Sequence, residues 1–204
     1  MLDERVEKTL GRIASFYDQR KVGHLGNLGF RRSSDLERLL PCLFGMIRMG
    51  LLVPGTTSFL DMGCADGRVN VLLSYLTSVS VGVELDEWTL EEYSGLRREL
   101  DEVLEKEGYP LPPRNIFLYH GDTMDPALRD TLRNNAGAPF KAYDLFYTYL
   151  TMQEEFAGLI RREAKQGALF MVYGLEKILP RFNGLRLLTP EGPLQGILAL
   201  YRKE

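Results

Sequence analysis

Several residue types are scarce in this chain of 204 residues, which has two cysteines, two histidines and one tryptophan. The cysteines, Cys42 and Cys64, show neither a pairing pattern nor the spacing of metal ligands. Their arrangement therefore argues against a disulfide framework and gives no reason to expect a metal centre. We expect no bound metal and, as the default for unpaired cysteines, a reducing cytoplasmic location.

The chain also lacks a long apolar run. Its most apolar stretch, residues 39–53, contains Pro41 and Arg48 and falls short of the roughly 18 to 20 uninterrupted apolar residues that a membrane span requires. The first residues of the chain are too charged to begin a signal peptide. We predict a buried helix at 39–53 and no membrane span.

Positive charge is not in excess, because 25 lysines and arginines stand against 28 aspartates and glutamates, for a formal net charge of −3. A nucleic-acid substrate would therefore have to meet a local basic patch. One basic cluster lies in the glycine-containing segment 20–33, and its Arg31 and Arg32 are our candidates for substrate contact. Two interpretations stay open: the segment clamps an acidic or nucleic-acid substrate as a lid, or its charges are solvated.

Short apolar runs alternate with helical patterns along the rest of the chain. The runs predict strands at 58–62, 80–84, 116–120, 143–149, 168–173, 185–188 and 197–202. Helices are predicted at 2–20, 34–50, 68–76, 87–107, 126–134 and 153–165, the second beginning at a capping box formed by Ser34 and Glu37.

This alternation predicts an α/β fold with a doubly wound, mainly parallel sheet of seven strands. The last two strands are joined by a connection too short for a crossover helix, so we expect an antiparallel hairpin at the C-terminus. We treat residues 1–204 as one domain, in which 1–54 form a helical cover with a loop and 55–204 form the core.

The stretch from 58 to 86 carries the residues best suited to a ligand site. In an open α/β sheet, ligands bind at the carboxyl ends of the strands, and Asp61, Gly63 and Gly67 follow the first predicted strand. The glycines allow a sharp turn and close approach of the backbone to a ligand. Glu84 ends the second strand and can accept hydrogen bonds from ribose hydroxyls, while Asp122 follows the third and can meet an adenine amino group.

A dinucleotide site is the alternative interpretation of this stretch. It requires Gly-x-Gly-x-x-Gly to bring a pyrophosphate against the turn, whereas this sequence has Asp-x-Gly-x-x-x-Gly. The added carboxylate of Asp61 would repel a pyrophosphate but suits the ammonium group of an amino acid. The pattern therefore favours S-adenosylmethionine over NAD.

Taken together, Asp-Met-Gly-Cys-Ala-Asp-Gly-Arg at 61–68, Val-Gly-Val-Glu-Leu-Asp at 81–86, Gly-Asp at 121–122 and Tyr-Asp-Leu-Phe-Tyr-Thr-Tyr at 143–149 resemble the class I (seven-strand) S-adenosylmethionine-dependent methyltransferases. The resemblance covers residues 57–204. Within this superfamily the chain looks most like the small protein-lysine methyltransferases. The resemblance implies that the donor is bound by Asp61, Gly63, Cys64, Ala65, Gly67, Glu84, Leu85, Asp122 and Thr123.

The sequence does not identify the methyl acceptor. The fourth predicted strand lacks the Asn/Asp-Pro-Pro-Tyr signature of amino-group methylation on nucleic-acid bases or glutamine. Tyr147 and Tyr149 end that strand on one side of it, and they are our catalytic candidates because their rings can stabilise an ammonium acceptor by cation–π contact.

Several functions are compatible with this sequence. The methyl acceptor can be a protein lysine, RNA or a small molecule. The chain can also be an NAD-dependent oxidoreductase, or a non-catalytic domain that binds the adenosyl ligand.

Overall fold

The computed structural model describes residues 2–20, 25–26, 29–30, 33–136, 138–177 and 179–204. Arg31 and Arg32, the predicted substrate contacts, lie outside the described residues. Within the predicted loop, residues 25–26 pair antiparallel with residues 29–30.

Six helices are present in the described part of the chain: α1 Glu4–Asp18, α2 Leu36–Arg48, α3 Arg68–Ser74, α4 Glu87–Glu107, α5 Pro126–Asn135 and α6 Gln153–Glu163. A short 3-10 turn lies at Phe140–Ala142. Every predicted helix is present. Within the described residues no helix is long and apolar enough to span a membrane.

The predicted capping box at the start of α2 is wrong. The N-cap is Asp35, whose carboxylate accepts a hydrogen bond from the Arg38 amide at 2.9 Å. Two further amides of the first turn, those of Leu36 and Glu37, donate to the carboxylate of Asp18 at 3.0 and 2.8 Å. Because α1 ends beside α2, an aspartate distant in sequence satisfies amides that a local cap would otherwise take.

The main sheet has seven strands: β1 Ser58–Met62, β2 Val79–Glu84, β3 Ile116–His120, β4 Leu145–Tyr149, β5 Leu169–Tyr173, β6 Leu185–Leu187 and β7 Leu198–Lys203. Their order across the sheet is β3-β2-β1-β4-β5-β7-β6. Strand β7 runs antiparallel to both of its neighbours and the other pairings are parallel. The predicted fold class is confirmed, including the C-terminal hairpin. The order reverses between β1 and β4, which is where such sheets bind ligands.

Helices cover both faces of this sheet. One face packs against α1 to α4, in a core that includes Leu10, Leu43, Leu72 and Leu100. The other face packs against α5 and α6 around Phe146. The N-terminal helices therefore belong to the same layer as α3 and α4, and α1 is tied to the end of α4 by a bidentate contact between Arg12 and Glu107.

Candidate active site

A turn rich in glycine connects β1 to α3 and is fastened to β2 by hydrogen bonds. The amides of Gly63 and Cys64 both donate to the Val83 carbonyl at 2.9 Å. The Ala65 amide donates to Oε2 of Glu84 at 2.8 Å. These bonds hold the turn at the carboxyl end of β2, so the shape of the turn is set by the protein itself.

Glu84 joins two loops through its carboxylate. Besides accepting from Ala65, it accepts through Oε1 from the Asp86 amide at 2.9 Å. Each carboxylate oxygen has a second lone-pair direction, so Glu84 keeps acceptor capacity for hydroxyl groups. The sequence predicts a ligand role for Glu84, whereas its contacts with the two loops are visible only in the fold.

Asp61 is the most unusual residue of the site. It is 1% exposed, and among the described residues its Oδ1 has no hydrogen-bond partner. Its pKa is raised well above the usual range, first by burial and then by the nearby carboxylates of Glu84 and Asp66. A Cβ placed on Gly63 would meet nothing within 4 Å, so open space adjoins the turn two residues from Asp61. An unpartnered buried acceptor beside open space suits a cationic ligand group.

Gly67 serves packing more than ligand approach. Its φ is +73°, and a Cβ there would lie 2.7 Å from Leu118 Cδ1 and 2.8 Å from Tyr93 Cδ2. Gly67 is therefore required by the close contact of the turn with β3 and α4. Ala65, by contrast, adopts a positive φ of 49° without being glycine, which places local strain in the same turn.

A buried ion pair that sequence analysis missed supports the turn from the other side. Asp66 and Arg68 are 2% and 4% exposed, and the guanidinium contacts both carboxylate oxygens, with Nη2 2.7 Å from Oδ2 and Nε 3.0 Å from Oδ1. The Arg68 guanidinium carbon lies 5.4 Å from the ring centroid of Tyr17 on α1. The Asp-Gly-Arg sequence at 66–68 was the available signal for this ion pair. Its buried surroundings come from α1, which is distant in the sequence.

The ends of β2 and β3 form the exposed part of the site. Leu85 is 56% exposed, and its carbonyl lies 3.2 Å from Nε2 of His120. Asp122 is exposed and accepts from the Met124 amide at 2.8 Å, while Thr123 is buried. Trp88, in the first turn of α4, is 78% exposed. The predicted donor residues of β2 and β3 thus lie at one edge of the sheet with those of β1.

The predicted catalytic tyrosines lie on one face of β4, together with Tyr173 of β5. The ring centroids of Tyr147 and Tyr149 are 6.4 and 5.3 Å from that of Tyr173. Tyr147 is fully buried, and its hydroxyl pairs with Oγ of Ser34. Burial, and then Asp61, raise its pKa well above the usual range. Tyr147 therefore keeps its proton at neutral pH, and Tyr149 is the more accessible ring of the two.

The chain is strained just after β4. Leu150 and Met152 have φ values of +36° and +49°, and both side chains are more than a third exposed. Left-handed conformations of such residues cost about 1 to 3 kcal/mol each and often accompany functional sites.

Within the described residues, no cluster of three or more histidines, cysteines or acidic residues is arranged to hold a metal.

Solved structures share this fold at low sequence identity. The tRNA (m1A58) methyltransferase TrmI from Aquifex aeolicus matches with a TM-score of 0.53 and 12% identity, over 96% of this chain and 76% of its own. A conserved hypothetical protein from Streptococcus pyogenes matches with a TM-score of 0.51 and 14% identity, over 80% of this chain and 94% of its own. An RNA methyltransferase from Salinibacter ruber in complex with S-adenosyl-L-homocysteine gives 0.47 and 16%, over 80% and 89%.

No protein-family model matches the chain, and no curated protein matches its sequence. The comparison with known proteins therefore rests on the solved structures. The resemblance to class I methyltransferases is confirmed at the level of the fold.

Proposed function

We propose that this protein is an S-adenosylmethionine-dependent methyltransferase. The observation that carries the proposal is the buried Oδ1 of Asp61, which has no hydrogen-bond partner among the described residues and lies two residues from the open turn at Gly63. It fits the ammonium end of an amino acid, and Glu84 at the next strand end fits a ribose. This combination lies at the point where the strand order reverses.

The charges of the site disfavour a dinucleotide as the ligand. Asp61 and Glu84 are carboxylates at the strand ends beside the turn, whereas the guanidinium of Arg68 is already engaged by Asp66. The amides of Gly63, Cys64 and Ala65 are also taken by acceptors of β2. A pyrophosphate would thus meet carboxylates and few free donors.

In this proposal the protein accelerates methyl transfer mainly by positioning the donor and the acceptor. Bound S-adenosylmethionine supplies a methyl group on a positively charged sulfur. Asp61 would hold the ammonium end, Glu84 the ribose, and Asp122 with Thr123 the adenine edge. Tyr149 would place its ring beside the acceptor, and Tyr147 would wall the site. Methyl transfer is an in-line displacement, so correct orientation alone supplies much of the rate.

We infer that the acceptor is an amine, as in a protein lysine, which binds as its ammonium ion and loses one proton to solvent before the neutral nitrogen attacks the methyl group. Exposed carboxylates surround the carboxyl edge of the sheet, and a polyanion would be repelled there. These residues begin α4 and α6 or follow β3: Glu87, Glu91, Asp122, Asp125, Glu154 and Glu155. Two rings at the same edge, the exposed Trp88 and the partly buried Tyr149, suit an ammonium group.

Calorimetry tests the donor proposal. We expect S-adenosylhomocysteine to bind and NAD(H) not to bind. Glu84→Ala should weaken binding at least about tenfold, because losing a hydrogen bond to a charged group costs about 1.5 to 3 kcal/mol. Glu102→Ala, at an exposed glutamate in the second half of α4, is the matched control. Unchanged affinity in Glu84→Ala would remove the proposed ribose contact.

Labelled donor and a cell extract test the acceptor proposal. We expect methyl label to enter protein and to be recovered as methylated lysine. Label in RNA or in the small-molecule pool would overturn the lysine inference but keep the methyltransferase. Tight donor binding without label in any fraction would instead support a domain that binds the ligand without turnover.

A further inference from the structure

Asp61 has surroundings that make ionisation costly. The carboxyl lies on β1 with its strand neighbours Gly82 on β2 and Tyr147 on β4. No group of the described residues donates a hydrogen bond to its Oδ1, and the residue is 1% exposed. A carboxylate in such a place lacks both the solvent and the donors that would stabilise its charge.

The titratable groups around Asp61 add to this cost. They are Glu84 from β2, Asp66 and Cys64 from the glycine turn, and Tyr147 from β4. Both charged members of this set are acidic, and the positive charge of Arg68 is held by Asp66. Burial also raises the pKa of Cys64, which therefore stays a neutral thiol. The site thus gathers negative charge around a buried carboxyl.

We propose that Asp61 is protonated in the free protein and that binding of the donor's amino-acid end releases this proton. The inference rests on the proposed function. In the step, the neutral carboxyl and the ligand ammonium form a carboxylate–ammonium pair, and one proton goes to the buffer. The positive charge of the ligand ammonium stabilises the carboxylate of Asp61. The electrostatic cost that kept Asp61 protonated is thereby removed.

The proton can be counted by calorimetry. The full-length protein is titrated with S-adenosylhomocysteine at about pH 6.5, where the α-amino group of the ligand is protonated. The titration is repeated in buffers of different ionisation enthalpy. The observed binding enthalpy is plotted against the ionisation enthalpy of the buffer. We expect a slope that corresponds to the release of about one proton per ligand bound. Affinity should also rise with pH, by up to about tenfold per pH unit over the range in which Asp61 is protonated in the free protein.

A ligand and two variants serve as controls. Methylthioadenosine has the adenosine moiety without the amino-acid end, so its binding should release no proton from Asp61. Asp61→Asn should abolish release with S-adenosylhomocysteine and flatten the pH dependence. Asp130→Asn, a change at an exposed position on α5, should leave the proton count unchanged.

The outcomes separate the two proposals. Absence of S-adenosylhomocysteine binding would overturn the proposed function itself. Binding without proton release, or equal release with methylthioadenosine, would overturn the role of Asp61 while leaving the donor site intact. The comparison of the two ligands needs only the wild-type protein, so it decides the question even if Asp61→Asn fails to fold.

Discussion

At the scale of single residues, the glycine turn contains positions with different physical reasons for having no side chain. Gly63 borders open space, whereas Gly67 is pressed against Leu118 and Tyr93. The spacing of the two glycines suggested one shared role in ligand approach. Only the positions of β3 and α4, which come later in the chain, separate a ligand-facing glycine from a packing glycine.

We expect Gly67→Ala to lower the free energy of unfolding by about 2 to 4 kcal/mol. The new methyl group would overlap neighbouring side chains, and the positive φ would add strain. Denaturant unfolding measures the effect. Gly11→Ala is the control, because Gly11 lies within α1 with open space around it; it should raise stability by about 0.5 to 1 kcal/mol. Equal stability of the Gly67→Ala variant and the wild type would refute the packing role.

Tyr149 offers a second test at this scale. Removing its ring in Tyr149→Leu should slow methyl transfer by roughly two- to thirtyfold, which corresponds to a cation–π contact of about 0.5 to 2 kcal/mol. Tyr149→Phe keeps the ring and should retain most of the activity. Transfer of labelled methyl to the acceptor fraction is the measurement. If both variants turn over like the wild type, the ring has no catalytic role.

At the scale of elements, the carboxylate of Asp144 links the starts of the adjacent strands β1 and β4 by hydrogen bonds. Asp144, before β4, accepts from the Ser58 amide at 2.9 Å and hydroxyl at 2.7 Å. Its other oxygen lies 2.5 Å from Nζ of Lys165. Partial burial opposes ionisation, but Lys165 and Ser58 outweigh it and lower the pKa of Asp144. The registry of β1 and β4 is therefore stabilised by a charge.

The sign of the pH effect follows from this lowered pKa. The contribution of Asp144 is present above the unfolded-state pKa, about 3.9, and is lost as the pH falls through the folded-state pKa. We expect Asp144→Asn to have a lower Tm than the wild type at pH 5 to 7, with the gap narrowing below about pH 4. Asp130→Asn, an exposed position on α5, is the control. A gap that stays constant down to pH 3 would contradict this account.

Elements bounded by clear local signals were predicted closely from the sequence. Strand 58–62 and helix 87–107 were predicted with their observed ends, because turn residues and a regular apolar face mark them. The start of α2 was mispredicted, since Ser34 uses its hydroxyl on Tyr147 and Asp18 caps the helix from another element. Contacts between distant segments leave no periodic signal in the chain.

The same limit applies to the candidate site. The carboxylates of Asp61 and Glu84 could be identified because they end predicted strands. That Glu84 fastens the turn, and that Arg68 is buried against α1, depends on how helices pack over the turn. The enclosure of Tyr147 likewise depends on Ser34, a residue of the N-terminal part.

At the scale of the whole molecule, the N-terminal helices α1 and α2 are part of the core. Leu10, Ile13 and Tyr17 of α1 and Leu39 and Leu43 of α2 are completely buried. They pack in one cluster with side chains of the sheet. The division into a cover and a core is therefore one of sequence order, and we propose that neither part folds alone.

We expect a truncated protein of residues 55–204 to show no cooperative thermal transition, because the exposed face of the sheet would lose its hydrophobic partner. Near-UV circular dichroism and thermal melting compare it with the full-length chain. Lys8→Ala, an exposed change on α1, controls for disturbance of the helix surface. A cooperative melt of the truncated protein would refute the shared core.

The hydrogen bonds from the glycine turn to Val83 and Glu84 have a consequence for the energy of recognition. Because these bonds exist within the protein, a ligand does not have to order the turn when it arrives, and the entropy of that ordering has been spent during folding. The donor site is in this sense part of the folded scaffold, so its affinity and the stability of the sheet depend on the same carboxylate.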